Sequence, residues 1–249
     1  MKRISVIALT AVIALLAGCT TRSISDSGYE AGRGNQYGRN VGYYQSELSE
    51  FDVLGIERGA TPTDEEIKRV LASRKPLALK RGSRVMLLQS GAMIPDSPMT
   101  AAMSKYFSVG VFSGQPSMLS AKTGADTSGA ESYSRSLRLA AARGGQETLV
   151  VYWGLLESAR ENMATSSVSW VPVVGWVLPD EKQRMRIRLK VAVVDVASGH
   201  WEMFSPDAID DGDTSSMLSR KTTDQTLVNS LKEKAYTAAV EDLVKRFSR

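Results

Sequence analysis

Two residue types that build many functional sites are nearly missing from this 249-residue chain, which has one cysteine and one histidine. A single thiol cannot form a disulfide within the chain, so packing has to hold the fold together. A single imidazole excludes the usual multi-histidine zinc sites and the HExxH pattern of zinc proteases. We therefore expect no resident metal and no cofactor.

Signatures of catalysis are missing as well. His200 follows a turn at residues 197–199, and no GxSxG nucleophile elbow accompanies it. We interpret His200 as a turn residue rather than a general base. The pair Gly144-Gly145 lacks the Lys-Ser/Thr of a phosphate-binding loop and is typical of a helix end. The sequence predicts a protein that is not an enzyme.

Net charge is also low, because 31 Lys and Arg residues stand against 27 Asp and Glu residues, which gives +4. Lys2 and Arg3 lie in a segment that we expect to be removed, and subtracting these two charges leaves +2. Nucleic acid binding favours a concentrated basic footprint, so no nucleic acid partner is predicted. With 43% hydrophobic and 23% charged residues, the composition is that of an ordinary globular protein.

The amino-terminal stretch MKRISVIALTAVIALLAGC has a basic start, an apolar run from Ile4 to Leu16 and small residues before Cys19. This order is that of an export signal, and the apolar run is shorter than the roughly 20 residues of a membrane-spanning helix. The tetrapeptide Leu16-Ala17-Gly18-Cys19 closely resembles the lipobox of bacterial lipoproteins. The resemblance implies cleavage after residue 18, a diacylglycerol on the Cys19 sulfur and an acyl chain on its new amine.

Several acyl chains on one residue bury enough methylenes, at about 0.8 kcal/mol each, to hold a protein firmly on a membrane. Thr20 follows the cysteine, whereas the lipoprotein sorting pattern uses an aspartate there for inner-membrane retention. The resemblance therefore implies an outer-membrane lipoprotein, anchored through Cys19 and facing the periplasm.

Residues 19–48 combine Gly, Ser, Asn, Arg and Tyr without a sustained helix or strand period. Such a segment buries little apolar surface, and we interpret it as a flexible tether between the lipidated residue and a folded domain. The predicted organisation is a signal peptide at residues 1–18, the lipidated tether at 19–48 and a periplasmic domain at 49–249.

Residues 49–249 alternate helix and strand patterns before a strand-rich part. Thr63 and Glu66 form a capping-box pattern at the start of a short helix that ends before Pro76. Buried strands are predicted in SRVMLLQSG, SVGVF and ETLVVYWGLLES. A hairpin is predicted in QRMRIRLKVAVVDVASGHWEMFSP, and a long amphipathic helix in TTDQTLVNSLKEKAYTAAVEDLVKRFSR. These elements predict one α/β domain with a mixed sheet and helices packed on it.

This arrangement resembles a group of periplasmic envelope domains: the amino-terminal domain of TolB, the curli secretion lipoprotein and the lipoprotein activators of penicillin-binding proteins. The resemblance is carried by SYSRSLRLAAARGGQETLVVYWGLLES and RIRLKVAVVDVASGHW. It implies a role in envelope assembly and selects no particular partner.

Two surface features are candidate binding sites. One is a row of basic residues on one face of a predicted strand, formed by Arg184, Arg186, Arg188 and Lys190, which binds phosphate head groups or an acidic partner unless acids on the sheet neutralise it. The other is the segment WVPVVGWVLP with Trp170 and Trp176, which is either core or an exposed docking loop.

The function that these observations favour is a non-catalytic, lipid-anchored adaptor or assembly factor for another envelope protein. Two alternatives remain open. One is a hydrolase of envelope material that uses Glu157 and Glu161, and the other is a structural, homo-oligomeric subunit of a secretion or surface-fibre complex.

Overall fold

The computed structural model describes residues 23–26, 47–57, 59, 61–116, 129–162, 167–172, 183–210 and 223–248. Its helices are α1 (Glu50–Leu54), α2 (Asp64–Ser73), α3 (Ser97–Ser104), α4 (Gly129–Arg143) and α5 (Thr223–Phe247). Its strands are β1 (Arg84–Gln89), β2 (Ser108–Val111), β3 (Thr148–Asn162), β4 (Ser167–Pro172), β5 (Gln183–Asp195), β6 (Trp201–Phe204) and β7 (Ile209–Asp210).

The strands form one mixed sheet in the order β2-β1-β3-β5-β6, with β4 also paired to β3 and β7 to β5. Strands β1, β2 and β3 run parallel, and the other pairings are antiparallel. The prediction of a single α/β domain with a mixed sheet and a long carboxyl-terminal helix is confirmed.

Local chemistry explains where the elements begin and end. At α2 the Thr63 hydroxyl accepts from the Glu66 amide while the Glu66 carboxylate accepts from the Thr63 amide, so the predicted capping box is present. Gly145 after α4 and Gly199 in the β5–β6 turn have φ of 72° and 75°. This left-handed conformation is costly for residues with a side chain, which explains glycine at both stops.

The sheet buries apolar side chains on both faces. Along β5 the predicted alternation holds, because every second residue from position 185 to position 193 is buried in the larger core: Met185, Ile187, Leu189, Val191 and Val193. Helices α3 and α5 cover this face. A smaller core on the opposite face includes Val53 of α1 and Leu137 of α4.

Strand β3 is longer than the sequence predicts. The predicted segment ends at Ser158, but the strand continues to Asn162 and pairs with β4 on one side and β5 on the other. Glu157 and Glu161 therefore lie four residues apart on a strand, about 13 Å from each other along its axis, and share no helix face. Trp170 lies on β4, opposite Ala159 in the ladder, and Trp176 lies outside the described residues.

The structure differs from the flexible-tether interpretation at Ser23–Asp26. Ile24–Asp26 form a short 3-10 helix against β3, and Ser23 before it makes an antiparallel bridge with Leu155. On that edge of β3 the pairing with β1 ends at Tyr152 and the pairing with β4 begins at Glu157. Ser23 thus occupies the gap between β1 and β4.

Ile24 anchors this docked segment in the larger core, where only 1% of its surface is exposed. The space exists because β3 carries a glycine there: a Cβ at Gly154 would lie 2.5 Å from Ile24 Cδ1 and 2.8 Å from Leu189 Cδ2. Residues 27–46, the rest of the expected tether up to Glu47, lie outside the described residues.

We predict that Ile24→Ala lowers the free energy of unfolding by about 2 to 5 kcal/mol, because it removes a fully buried aliphatic group. Urea denaturation of the mature chain measures this loss. The matched control is Ile67→Ala on α2, where the side chain is 48% exposed and a change within about 0.5 kcal/mol is expected. Equal effects of the two substitutions would show that the segment is an undocked tether.

Candidate functional site

A buried ion pair joins the two helices on the larger-core face. Lys232 Nζ of α5 lies 2.8 Å from Asp96 Oδ2 at the start of α3, and the Tyr236 hydroxyl donates to the same oxygen. All three side chains are at least 93% buried. Moving two charges from water into the core costs solvation free energy. The short ion pair and the added hydrogen bond from Tyr236 compensate for this cost.

The network continues from Asp96 to the carboxyl end of β1 through Gln89. The Gln89 side-chain oxygen accepts from the Asp96 amide at 2.7 Å and from the Tyr152 hydroxyl at 2.5 Å. Its side-chain nitrogen donates to Ser25 Oγ at 3.0 Å, and Ser25 Oγ donates to the Ser90 carbonyl at 2.5 Å. The docked segment is therefore hydrogen-bonded into the same polar network as the helices.

Tyr152 completes the network on β3. Burial is the main reason that its pKa is raised well above the usual range, and the negative charge of Asp96 acts in the same direction. The phenol stays protonated and donates to Gln89, while its ring meets that of Tyr236 edge to face with centroids 5.7 Å apart. This arrangement fixes the side chains of Gln89, Tyr152 and Tyr236 relative to one another.

A half-buried acid, Glu47, lies beside the docked segment. Burial raises the pKa of Glu47, while the nearby hydroxyls of Ser23 and Ser90 partly offset this effect. Both carboxylate oxygens are buried and make no hydrogen bond of normal geometry to the described residues. The next residue, Leu48, donates its amide to Ser90 Oγ at 2.7 Å, so both ends of residues 23–48 attach near Ser90.

We predict that Lys232→Met destabilises the protein by about 3 to 5 kcal/mol, because it leaves the Asp96 charge buried without its lysine. Combining Lys232→Met with Asp96→Asn should cost clearly less than the sum of the two single substitutions. Urea denaturation of the three variants measures the coupling. Asp242→Asn, which breaks the exposed Asp242–Arg246 pair on the same helix, should change stability by less than about 1 kcal/mol. Additive single effects would contradict a coupled ion pair.

The predicted basic row on β5 is largely paired with acids. Glu157 on β3 is nearly buried and accepts from Arg186 Nε at 2.5 Å, while Arg188 Nε lies 3.7 Å from its other oxygen. Lys190 Nζ lies 2.5 Å from the Glu50 carboxylate of α1. The backbone places Arg184 on the same strand, and its side chain lies outside the described part. A binding role for the row remains a prediction, and Arg188, whose side chain is 54% exposed, is its most accessible described member.

An exposed apolar surface lies on α2. Ile67, Val70 and Leu71 are 48%, 60% and 64% exposed, and no residue of the helix is buried. These residues keep the helical spacing of i, i+3 and i+4, so the three side chains share one face.

Sequence analysis missed the members of the buried network. Lys232 and Tyr236 lie four residues apart on α5, beside the apolar stripe that includes Leu231 and Ala235. A charged residue inside so wide an apolar face is the signal that could have revealed them, because a buried lysine needs a partner. The partner itself, Asp96, is 136 residues away and no local pattern indicates it.

Within the described ranges, no three or more His, Cys, Asp or Glu side chains come together in a way that could hold a metal ion. In the same part of the chain, no helix has both the length and the apolar character needed to cross a bilayer.

A family model described as YafT bacterial lipoprotein matches residues 49–246, which is most of the chain. The chain therefore belongs to this family of bacterial lipoproteins. A search of curated proteins finds no match.

Proposed function

We propose that this family member is held on the outer membrane by acyl chains on Cys19, faces the periplasm, and serves there as a non-catalytic adaptor or assembly factor for another envelope protein. The lipoprotein family and the lipobox at residues 16–19 support the anchor. The exposed apolar face of α2 is the observation that carries the adaptor role.

In this proposal Cys19 alone carries the acyl chains that hold the protein on the membrane. A single acyl chain gives marginal binding to a membrane, whereas a diacylglycerol and an amide-linked chain together bury several tens of methylenes, at about 0.8 kcal/mol each. Cys19 is the only thiol in the chain, so it is the only possible site for the thioether.

We predict that Cys19→Ala abolishes acylation and leaves either uncut precursor or a species that washes off membranes. Metabolic labelling with a radioactive fatty acid, followed by membrane fractionation, measures both effects. Thr20→Ala is the matched control and should keep the label. Label retained on Cys19→Ala would overturn the anchor.

The adaptor role rests on what α2 presents to a partner. An amphipathic helix whose apolar side chains are spaced i, i+3 and i+4 is the form that groove-bearing partners recognise. Here the capping box stabilises such a helix at the surface, and Ile67, Val70 and Leu71 remain exposed. The occupant that fits this face is a protein with an apolar groove of helix width.

We predict that replacing Ile67, Val70 and Leu71 with serine reduces capture of a crosslinked envelope partner several-fold while the thermal midpoint changes little, because none of the three is buried. In-cell crosslinking followed by affinity capture of the lipidated protein measures this. Leu139→Ser on α4, at a side chain that is 51% exposed, is the matched control and should leave capture intact. Equal capture by the parent protein, the triple serine variant and Leu139→Ser would show that α2 is not part of the interface.

The same experiment separates the remaining possibilities. If Arg188→Glu loses capture of the partner and low salt does not restore it, the interface lies on the basic row of β5. Recovery of the chain itself as the captured species would favour a homo-oligomeric structural subunit. The hydrolase alternative would need Glu157 as a reacting group, yet this carboxylate is nearly buried and engaged by Arg186 and Arg188.

A further inference from the structure

The carboxyl ends of β1 and β2 form one edge of the sheet, with exposed apolar residues beside the docked amino-terminal segment. We propose that this edge lies against the phospholipid surface and that Met93, Ile94 and Phe112 enter the boundary between head groups and acyl chains. The proposal rests on the anchoring at Cys19 proposed above, and it adds an orientation of the domain on the membrane.

The first argument is the length of chain between the anchor and the fold. Ser23 is already bridged to β3, and it follows Cys19 by four residues. Four fully extended residues span at most about 14 Å. A compact domain of about 200 residues has a radius of gyration of about 16 Å, which is larger than this reach. The side of the domain that holds Ser23 therefore faces the bilayer at close range.

The second argument is which side that is. Ser25 Oγ donates to the Ser90 carbonyl at the end of β1, and the Gly91 amide donates to the Gly114 carbonyl beyond β2 at 2.9 Å. The Gly114 amide in turn donates to the Ala92 carbonyl at 2.8 Å. The docked segment, the loop after β1 and the loop after β2 are thus tied together at one edge.

The third argument is the chemistry of this edge. Met93 and Ile94 follow Ala92 directly and are 48% and 57% exposed, and Phe112 after β2 is 41% exposed. The free energy falls when three large apolar side chains beside a membrane leave water and enter the membrane interface. A phospholipid surface is the occupant that the short connection to Cys19 brings to these residues.

The test uses the lipidated protein in vesicles of phosphatidylethanolamine and phosphatidylglycerol that contain a lipid with a quencher in its acyl chain. Because Cys19 is the only native cysteine and carries lipid, each of the variants Ile94→Cys and Ile67→Cys has a single free thiol for an environment-sensitive fluorophore. The two isoleucines have similar exposure, 57% and 48%, so they form a matched pair. Phe112→Cys is a second site at the proposed edge.

We expect the fluorophores at positions 94 and 112 to be quenched several-fold more strongly than the fluorophore at position 67. Quenching at positions 94 and 112 no greater than at position 67, in protein shown to carry the acyl label, would overturn the membrane-facing edge and leave the anchor standing. Absence of the acyl label itself would overturn both proposals. Denaturation curves that match the parent protein confirm that each labelled variant is folded.

Discussion

The buried pair of Asp96 and Lys232 is the constraint on which the larger-core face depends. It joins the start of α3 to the middle of α5, and the Tyr236 hydroxyl shares the same carboxylate oxygen. Through the Asp96 amide the pair is connected to Gln89, and from there to β3 and the docked segment. One polar network thus sets the relative positions of two helices, two strands and the amino-terminal segment. Apolar packing alone tolerates small shifts between such elements, whereas hydrogen bonds in a buried network have to be satisfied together.

Most of the secondary structure could be predicted because its signals are local. The capping box at Thr63, the glycine at position 199 and the period-two pattern along β5 each act within a few residues. The extent of β3 could not be predicted in the same way. Its last six residues, from Glu157 to Asn162, are mostly polar and are held by pairing with β4 and β5. Tertiary pairing there outweighs the local appearance of a strand end.

The candidate sites show the same division. Alternation placed Arg186, Arg188 and Lys190 on one face, but no sequence pattern indicates Glu157 and Glu50 as the acids that face them. The apolar residues of α2 follow the helical period, yet periodicity reports which side chains share a face and does not show what covers that face. The docked residue Ile24 lies in a polar, glycine-containing stretch, and its place in the core depends on the missing side chain of Gly154, 130 residues later.

The bridge between Ser23 and Leu155 also has a mechanical consequence. Any tension that reaches Ser23 from the preceding residues enters the fold in the middle of β3 rather than at a free end. There β3 is paired with β5 over thirteen residue positions, from Thr148 to Arg160, so the pull is spread over a long ladder of hydrogen bonds. The first contacts to carry such a force are the Ser23–Leu155 bridge and the buried Ile24 side chain, and behind them lies the β3–β5 pairing, the longest among the described strands.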